Sequence, residues 1–208
     1  MTKIKICGVV SHDVFDAVVA AQVDFIGFNF FPKSPRFVTP VQAAALSKRH
    51  QGGPLRVGLF VKPVDHEIDA VLQAVGLDVL QIYDDFPRVE DIKARFNIPV
   101  WQAVGVSSRD ELPDKRLDGY VVESKPPPGA TRPGGNAAMM DFSLLKDWQS
   151  PALWLLAGGL TPGNVADAIR QTQTPGVDVS SGVETAPGVK SAELIKKFVE
   201  EVRKNALF

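Results

Sequence analysis

Eight short apolar runs recur along the 208 residues, and almost every one gives way to a segment with helical spacing. That alternation constrains the fold more than any composition figure. A helix between successive strands carries the chain back to the edge it started from, so the strands must pair in parallel. The runs cover 3–7, 24–30, 55–61, 79–82, 100–106, 119–123, 153–157 and 177–179. Helices are expected after Ser11, from the Thr39-Pro40 cap to about 48, over 65–75 and 88–96, from Thr161-Pro162, and over 191–203, with a short one near 108–112. Eight parallel strands can close on themselves. The pattern therefore predicts an α/β fold, a single-domain (β/α)8 TIM barrel over 1–208, near the lower end of the roughly 200 to 400 residues such barrels take. An open doubly wound sheet is the rival, but it usually sets its phosphate turn after the first strand, where Cys7-Gly8-Val9-Val10 lacks the glycine-rich fingerprint.

The last two runs carry the first functional signal. Leu153-Trp-Leu-Leu-Ala-Gly-Gly-Leu-Thr-Pro-Gly-Asn164 and Gly176-Val-Asp-Val-Ser-Ser-Gly-Val-Glu184 each pass from strand into a glycine-bearing turn. Glycine lets the backbone approach an anion closely, and turn N–H groups with a helix N-terminus supply partial positive charge. One such turn is often only a tight connection. Two in succession match the loops after strands 7 and 8, where barrels commonly hold a substrate phosphate. A balance of 23 Lys and Arg against 24 Asp and Glu leaves no broad cationic field, so nucleic acid and membrane are not expected partners and a small phosphorylated molecule is. No run approaches the roughly 18 apolar residues of a membrane span, the single cysteine cannot form an internal disulfide, and the start is too short and polar for a signal peptide. The expectation is a cytoplasmic protein, monomeric or weakly dimeric. No cluster of His, Cys and carboxylates has metal-ligand spacing, so no metal is expected.

Only side chains at the C-terminal ends of strands converge on the reactive face of a barrel, which filters candidates before chemical type does. Cys7 ends the first strand, where it is either a small buried hydrophobe or, beside Gly8, a thiol tuned for use as a base. Glu123 ends the sixth, as an exposed loop carboxylate or as a functional group on the reactive face. Asp178 lies in the eighth beside the glycine turn, with structural hydrogen bonding and catalysis both open. Arg36, within Lys33-Ser-Pro-Arg36, is either solvated or a planar fork suited to a carboxylate. The stretch 124–140, with four prolines, is too long for an ordinary connection and reads as a lid or a solvated excursion.

Lys5-Ile-Cys-Gly8, Gly27 with Lys33-Ser-Pro-Arg36, Gln81, Ala157-Gly-Gly-Leu160 with Asn164, and the 176–184 run follow one another along nearly the whole chain. Together they resemble the phosphoribosylanthranilate isomerase family of tryptophan biosynthesis. The resemblance implies an Amadori rearrangement, without metal or organic cofactor, of N-(5-phosphoribosyl)anthranilate to 1-(2-carboxyphenylamino)-1-deoxyribulose 5-phosphate. It also implies Cys7 as general base and Glu123, standing where the family has aspartate, as general acid. Arg36 would hold the anthranilate carboxylate, Gly158, Gly159, Ser181 and Gly182 the phosphate, and Gln81 and Asp178 would support the substrate. The chain departs from the family pattern at Glu123-Ser124, where one extra methylene can displace the acid by about 1 Å. Tyr83-Asp84 stands for the usual His-Gly, Gly134-Gly-Asn136 keeps part of a glycine-rich lid motif, and Asp141-Phe142 stands for Asp-Trp. These departures keep two further readings open: another sugar-phosphate isomerase or epimerase on the same barrel, and a diverged barrel that binds a phosphorylated ligand without turnover.

Overall fold

The computed structural model describes residues 1–126, 129, 133, 134 and 139–205. Eight strands, β1 (Lys3–Cys7), β2 (Phe25–Asn29), β3 (Leu55–Val61), β4 (Val79–Tyr83), β5 (Val100–Val106), β6 (Gly119–Ser124), β7 (Leu153–Leu156) and β8 (Gly176–Val179), form a closed barrel in chain order. All neighbours pair in parallel, and closure sets Lys5 of β1 opposite Asp178 of β8. Among the described residues six α-helices surround it: α1 (His12–Ala20), α2 (Pro40–Ser47), α3 (Asp65–Ala74), α4 (Phe86–Phe96), α5 (Val165–Thr172) and α6 (Ala192–Lys204).

Strand alternation sorts the side chains into two environments. On β1, Ile4 and Ile6 join the layer between barrel and helices, where Phe15, Val18 and Phe198 are also buried. Inside the barrel, Phe25, Val57, Val79, Trp101, Val121 and Leu155 form an apolar plug, with Phe25 and Trp101 edge to face at 4.9 Å. Each such side chain removed from water contributes about 1.5–3 kcal/mol. The plug fills the lower barrel, so Lys5, Cys7, Gln81, Tyr83, Glu123 and Asp178 make a polar layer above it, near the C-terminal strand ends.

Several expected boundaries shift for local reasons. Thr39 and Gln42 form the reciprocal cap that Thr39-Pro40 promised, whereas Ser11 stands at the start of α1 without a capping hydrogen bond. The helix after β7 starts at Val165, not at Thr161-Pro162. Asn164 causes the delay: its Oδ1 accepts from the Thr161 N–H at 2.7 Å and its Nδ2 donates to the Gly159 carbonyl at 2.9 Å, closing a turn first. After β5 and β6 the return elements shrink to 3-10 turns at Arg109–Glu111 and Phe142–Leu145. The first lacks an apolar stripe and runs into Pro113, which has no N–H to extend a helix. A hairpin of β9 (Glu184–Ala186) and β10 (Val189–Lys190), unanticipated from the pattern, follows β8. Pro187-Gly188 at its tip was the available turn signal. Of the expected lid, 127–128, 130–132 and 135–138 lie outside the described residues.

Candidate active site

One cavity at the C-terminal end of the barrel is lined by Cys7, Arg36, Tyr83, Glu123, Asp178, Ser181 and the Gly158-Gly159 turn. Strand ends bring Cys7, Glu123 and Asp178 together from β1, β6 and β8, as their positions implied. Gln81 does not line this cavity: it is fully buried in the barrel interior, and neither its amide oxygen nor its nitrogen has a hydrogen-bond partner among the described residues. Gly182 is also off the lining. It packs against the Leu160 carbonyl too closely for any side chain, which locks the two glycine turns together. Gly158 and Gly159 both have positive φ, +86° and +66°, a backbone path that turns the end of β7 toward the cavity.

Beneath Cys7 lies a charge that spacing could have revealed. Lys5 is two residues earlier on β1, hence on the same face, and is fully buried with its Nζ 2.8 Å from Asp178 Oδ2. Burial disfavours its ammonium, but Asp178 and Cys7 outweigh that and hold it charged, with a pKa above the ordinary lysine value. Cys7 itself is only 6 % exposed. Burial pushes its thiol pKa up and Asp178 adds to this, while Lys5 and Lys190 pull it down; the net shift is upward. Asp178 Oδ1, buried at the cavity, has no hydrogen-bond partner among the described residues.

Arg36 crosses directly over Gly8, where a Cβ would stand 2.7 Å from the arginine Cδ. The Lys5-Ile-Cys-Gly8 motif thus needs its glycine for the arginine as much as for the turn. The guanidinium is already engaged. Its Nε and Nη2 donate to Glu184 Oε1 and Oε2 at 2.7 and 2.8 Å, and Glu184 also accepts from Lys190 Nζ at 3.0 Å. Burial alone would raise the Glu184 pKa, but these two cations hold it down at about 2. Arg36 lines the cavity with its Nε and Nη2 edge taken up by Glu184, while Nη1 makes no hydrogen bond among the described residues. Lys190, delivered by the hairpin, further donates to the Ser180 carbonyl at 3.0 Å and braces the second glycine turn.

Across the cavity, Glu123 is 5 % exposed, and the Tyr83 hydroxyl donates to its Oε1 at 2.7 Å. Burial first and the neighbouring carboxylate second raise the phenol pKa well above the ordinary value, so Tyr83 stays protonated. The site thus offers a thiol over a buried ammonium on one wall and a carboxyl group on another. The Gly158-Gly159 turn and Ser181 line the same cavity beside them. Among the described residues, no group of His, Cys, Asp and Glu is placed to hold a metal ion, and no helix is long and apolar enough to cross a membrane.

Known proteins match this chain along nearly its whole length. Residues 4–201 match the family model described as N-(5'phosphoribosyl)anthranilate (PRA) isomerase. The N-(5'-phosphoribosyl)anthranilate isomerase of Acidiphilium cryptum is 50 % identical over 201 residues, spanning 96 % of this chain and 97 % of that protein. The crystal structure of TrpF from Jonesia denitrificans superposes with a TM-score of 0.83 at 34 % identity, covering 99 % and 98 % of the two chains. A further phosphoribosyl anthranilate isomerase structure, in complex with reduced 1-(o-carboxyphenylamino)-1-deoxyribulose 5-phosphate, matches at TM-score 0.78 and 29 % identity over 98 % of this chain and 100 % of that one. Match along the whole barrel, together with a cysteine and a carboxylate facing one cavity beside paired glycine turns, makes this chain a member of the N-(5'-phosphoribosyl)anthranilate isomerase family.

Proposed function

We propose that the chain isomerises N-(5-phosphoribosyl)anthranilate to 1-(2-carboxyphenylamino)-1-deoxyribulose 5-phosphate, a step of tryptophan biosynthesis. The observation that carries this reading is that Cys7 and Glu123, from β1 and β6, face a single cavity flanked by the β7 and β8 glycine turns. Glu123 gives a proton to the furanose ring oxygen, the C–O bond breaks, and the nitrogen lone pair forms an iminium at C1. Cys7, as thiolate, removes the proton from C2, and the enolamine tautomerises to the ketone. The phosphate sits against Gly158, Gly159 and Ser181, with Gly182 holding the turn in place. A family member bound to a reduced form of the product supports the same occupancy here. Purified protein mixed with chemically generated phosphoribosylanthranilate should consume anthranilate fluorescence catalytically. Tight phosphate-ester binding with no such decay would leave the non-catalytic reading instead.

The thiolate must form against burial, and Lys5 is the group that assists it. Lys5→Met removes the cation with the larger lowering effect on the thiol and leaves Asp178, from β8, raising it, with the weaker influence of Lys190 of the hairpin opposing. A base acts when deprotonated, so a higher pKa moves the rise of kcat/KM to higher pH and lowers the rate at pH 7. A pH profile unchanged in this variant would remove Lys5 from control of the thiol.

Arg36 engages the substrate carboxylate through its terminal edge, with Nη1 and the Nη2 hydrogen that does not go to Glu184. Arg36→Lys replaces two parallel donors by a point charge and should weaken binding of the product by about tenfold, as for one lost hydrogen bond to a charged group. A product analogue lacking the aromatic carboxylate should lose little. Equal weakening of both, measured by fluorescence titration, would make Arg36 a support for Glu184 and the hairpin only.

A further inference from the structure

Tyr83 has no role in the reaction as derived above, yet it is built into the same corner as the acid. It ends β4 and Glu123 lies near the end of β6, with β5 between them. The residues β5 presents there are Ala103 and Gly105, the latter directly opposite Glu123 in register. Their small size leaves the span open to the tyrosine ring, which packs on the barrel plug while its hydroxyl reaches Glu123 Oε1 at 2.7 Å. Gly134 covers the pair: a Cβ there would collide with both Tyr83 Oη and Glu123 Oε1.

We infer that Tyr83 is a positioning residue for Glu123, holding the longer carboxyl side chain in the one orientation that reaches the substrate ring oxygen and stabilising the carboxylate left when the proton departs. This rests on the assignment of Glu123 as the acid. Glutamate has one more rotatable bond than aspartate, and a donor fixed by the barrel removes that freedom before substrate arrives. The proton moves from Glu123 to the ring oxygen and the Tyr83 O–H bond stays intact. As charge develops on the carboxylate, the hydrogen bond becomes charge-assisted and therefore stronger in the transition state than in the ground state. A tyrosine serving only as core filler would be replaced by phenylalanine without kinetic effect.

The test is a cycle in the full chain of Tyr83→Phe, Glu123→Gln and both together, with kcat, KM and product binding measured. Tyr83→Phe should lower kcat by about 10- to 100-fold, the range for losing a hydrogen bond to a charged group, with KM and product affinity within about threefold. Added to Glu123→Gln, it should change the residual rate by less than about twofold, because there is no longer a proton to deliver. A Tyr83→Phe kcat near that of the parent chain overturns the inference while leaving the acid in place. So does an equal loss in the Glu123→Gln background, or a parallel loss of product binding, which would make Tyr83 a packing residue. Full activity of Glu123→Gln overturns the acid assignment and this inference with it.

Discussion

Cys7→Ser should lower turnover by at least about 10²-fold, the lower range for a general base, with the barrel intact. The substitution keeps size and hydrogen bonding but raises the pKa of the group far above neutral pH, so no alkoxide is available to take the C2 proton. Burial makes the position demanding even for a thiol, and the serine would sit over the same Lys5 ammonium without the sulfur's readiness to ionise. Product binding, read by fluorescence, should persist, because Arg36 and the glycine turns are untouched. Turnover near that of the parent chain would move the base to another group.

Glu123→Gln should nearly abolish turnover while product still binds, since the amide preserves shape and hydrogen bonding and removes the transferable proton. Glu123→Asp separates chemistry from reach. By family pattern alone aspartate would restore the usual side chain and retain substantial activity. The structure changes that expectation, because Tyr83 and Gly134 are fitted to the longer side chain and a shorter one withdraws the carboxyl from the 2.7 Å contact. The expected order of kcat is therefore parent, then Glu123→Asp, then Glu123→Gln, with the aspartate lower by up to about 10²-fold for a displacement near 1 Å. Fully active Glu123→Gln would shift the search to Asp178, the other carboxylate on the cavity.

Local pattern carried most of the fold. The strand runs at 55–61 and 100–106 coincide with β3 and β5 residue for residue, because their apolar blocks are bounded by abrupt polar or proline-bearing segments. Helix starts were less legible where side chains rather than propensity set them, as at Asn164, where a turn closed by the asparagine amide displaces the helix start by several residues. Positions of Cys7, Glu123 and Asp178 could be read because a parallel barrel sends every strand's C-terminal end to one face.

The sequence by itself determined the period, the parallel closure and which residues stand at strand ends, all of which depend on spacing within a few residues. The tertiary structure alone decided the pairings: Lys5 with Asp178, 173 positions apart, Arg36 with Glu184, 148 apart, and Tyr83 with Glu123, 40 apart. Closing β8 onto β1 makes the first of these. The β9–β10 hairpin folding back over the arginine loop makes the second. The third forms where β5 offers only alanine and glycine between two reaching side chains. Such partners are chosen by what barrel closure leaves within 3 Å among buried side chains, where an unpaired charge is too costly to remain, and no property of the individual segments encodes that choice.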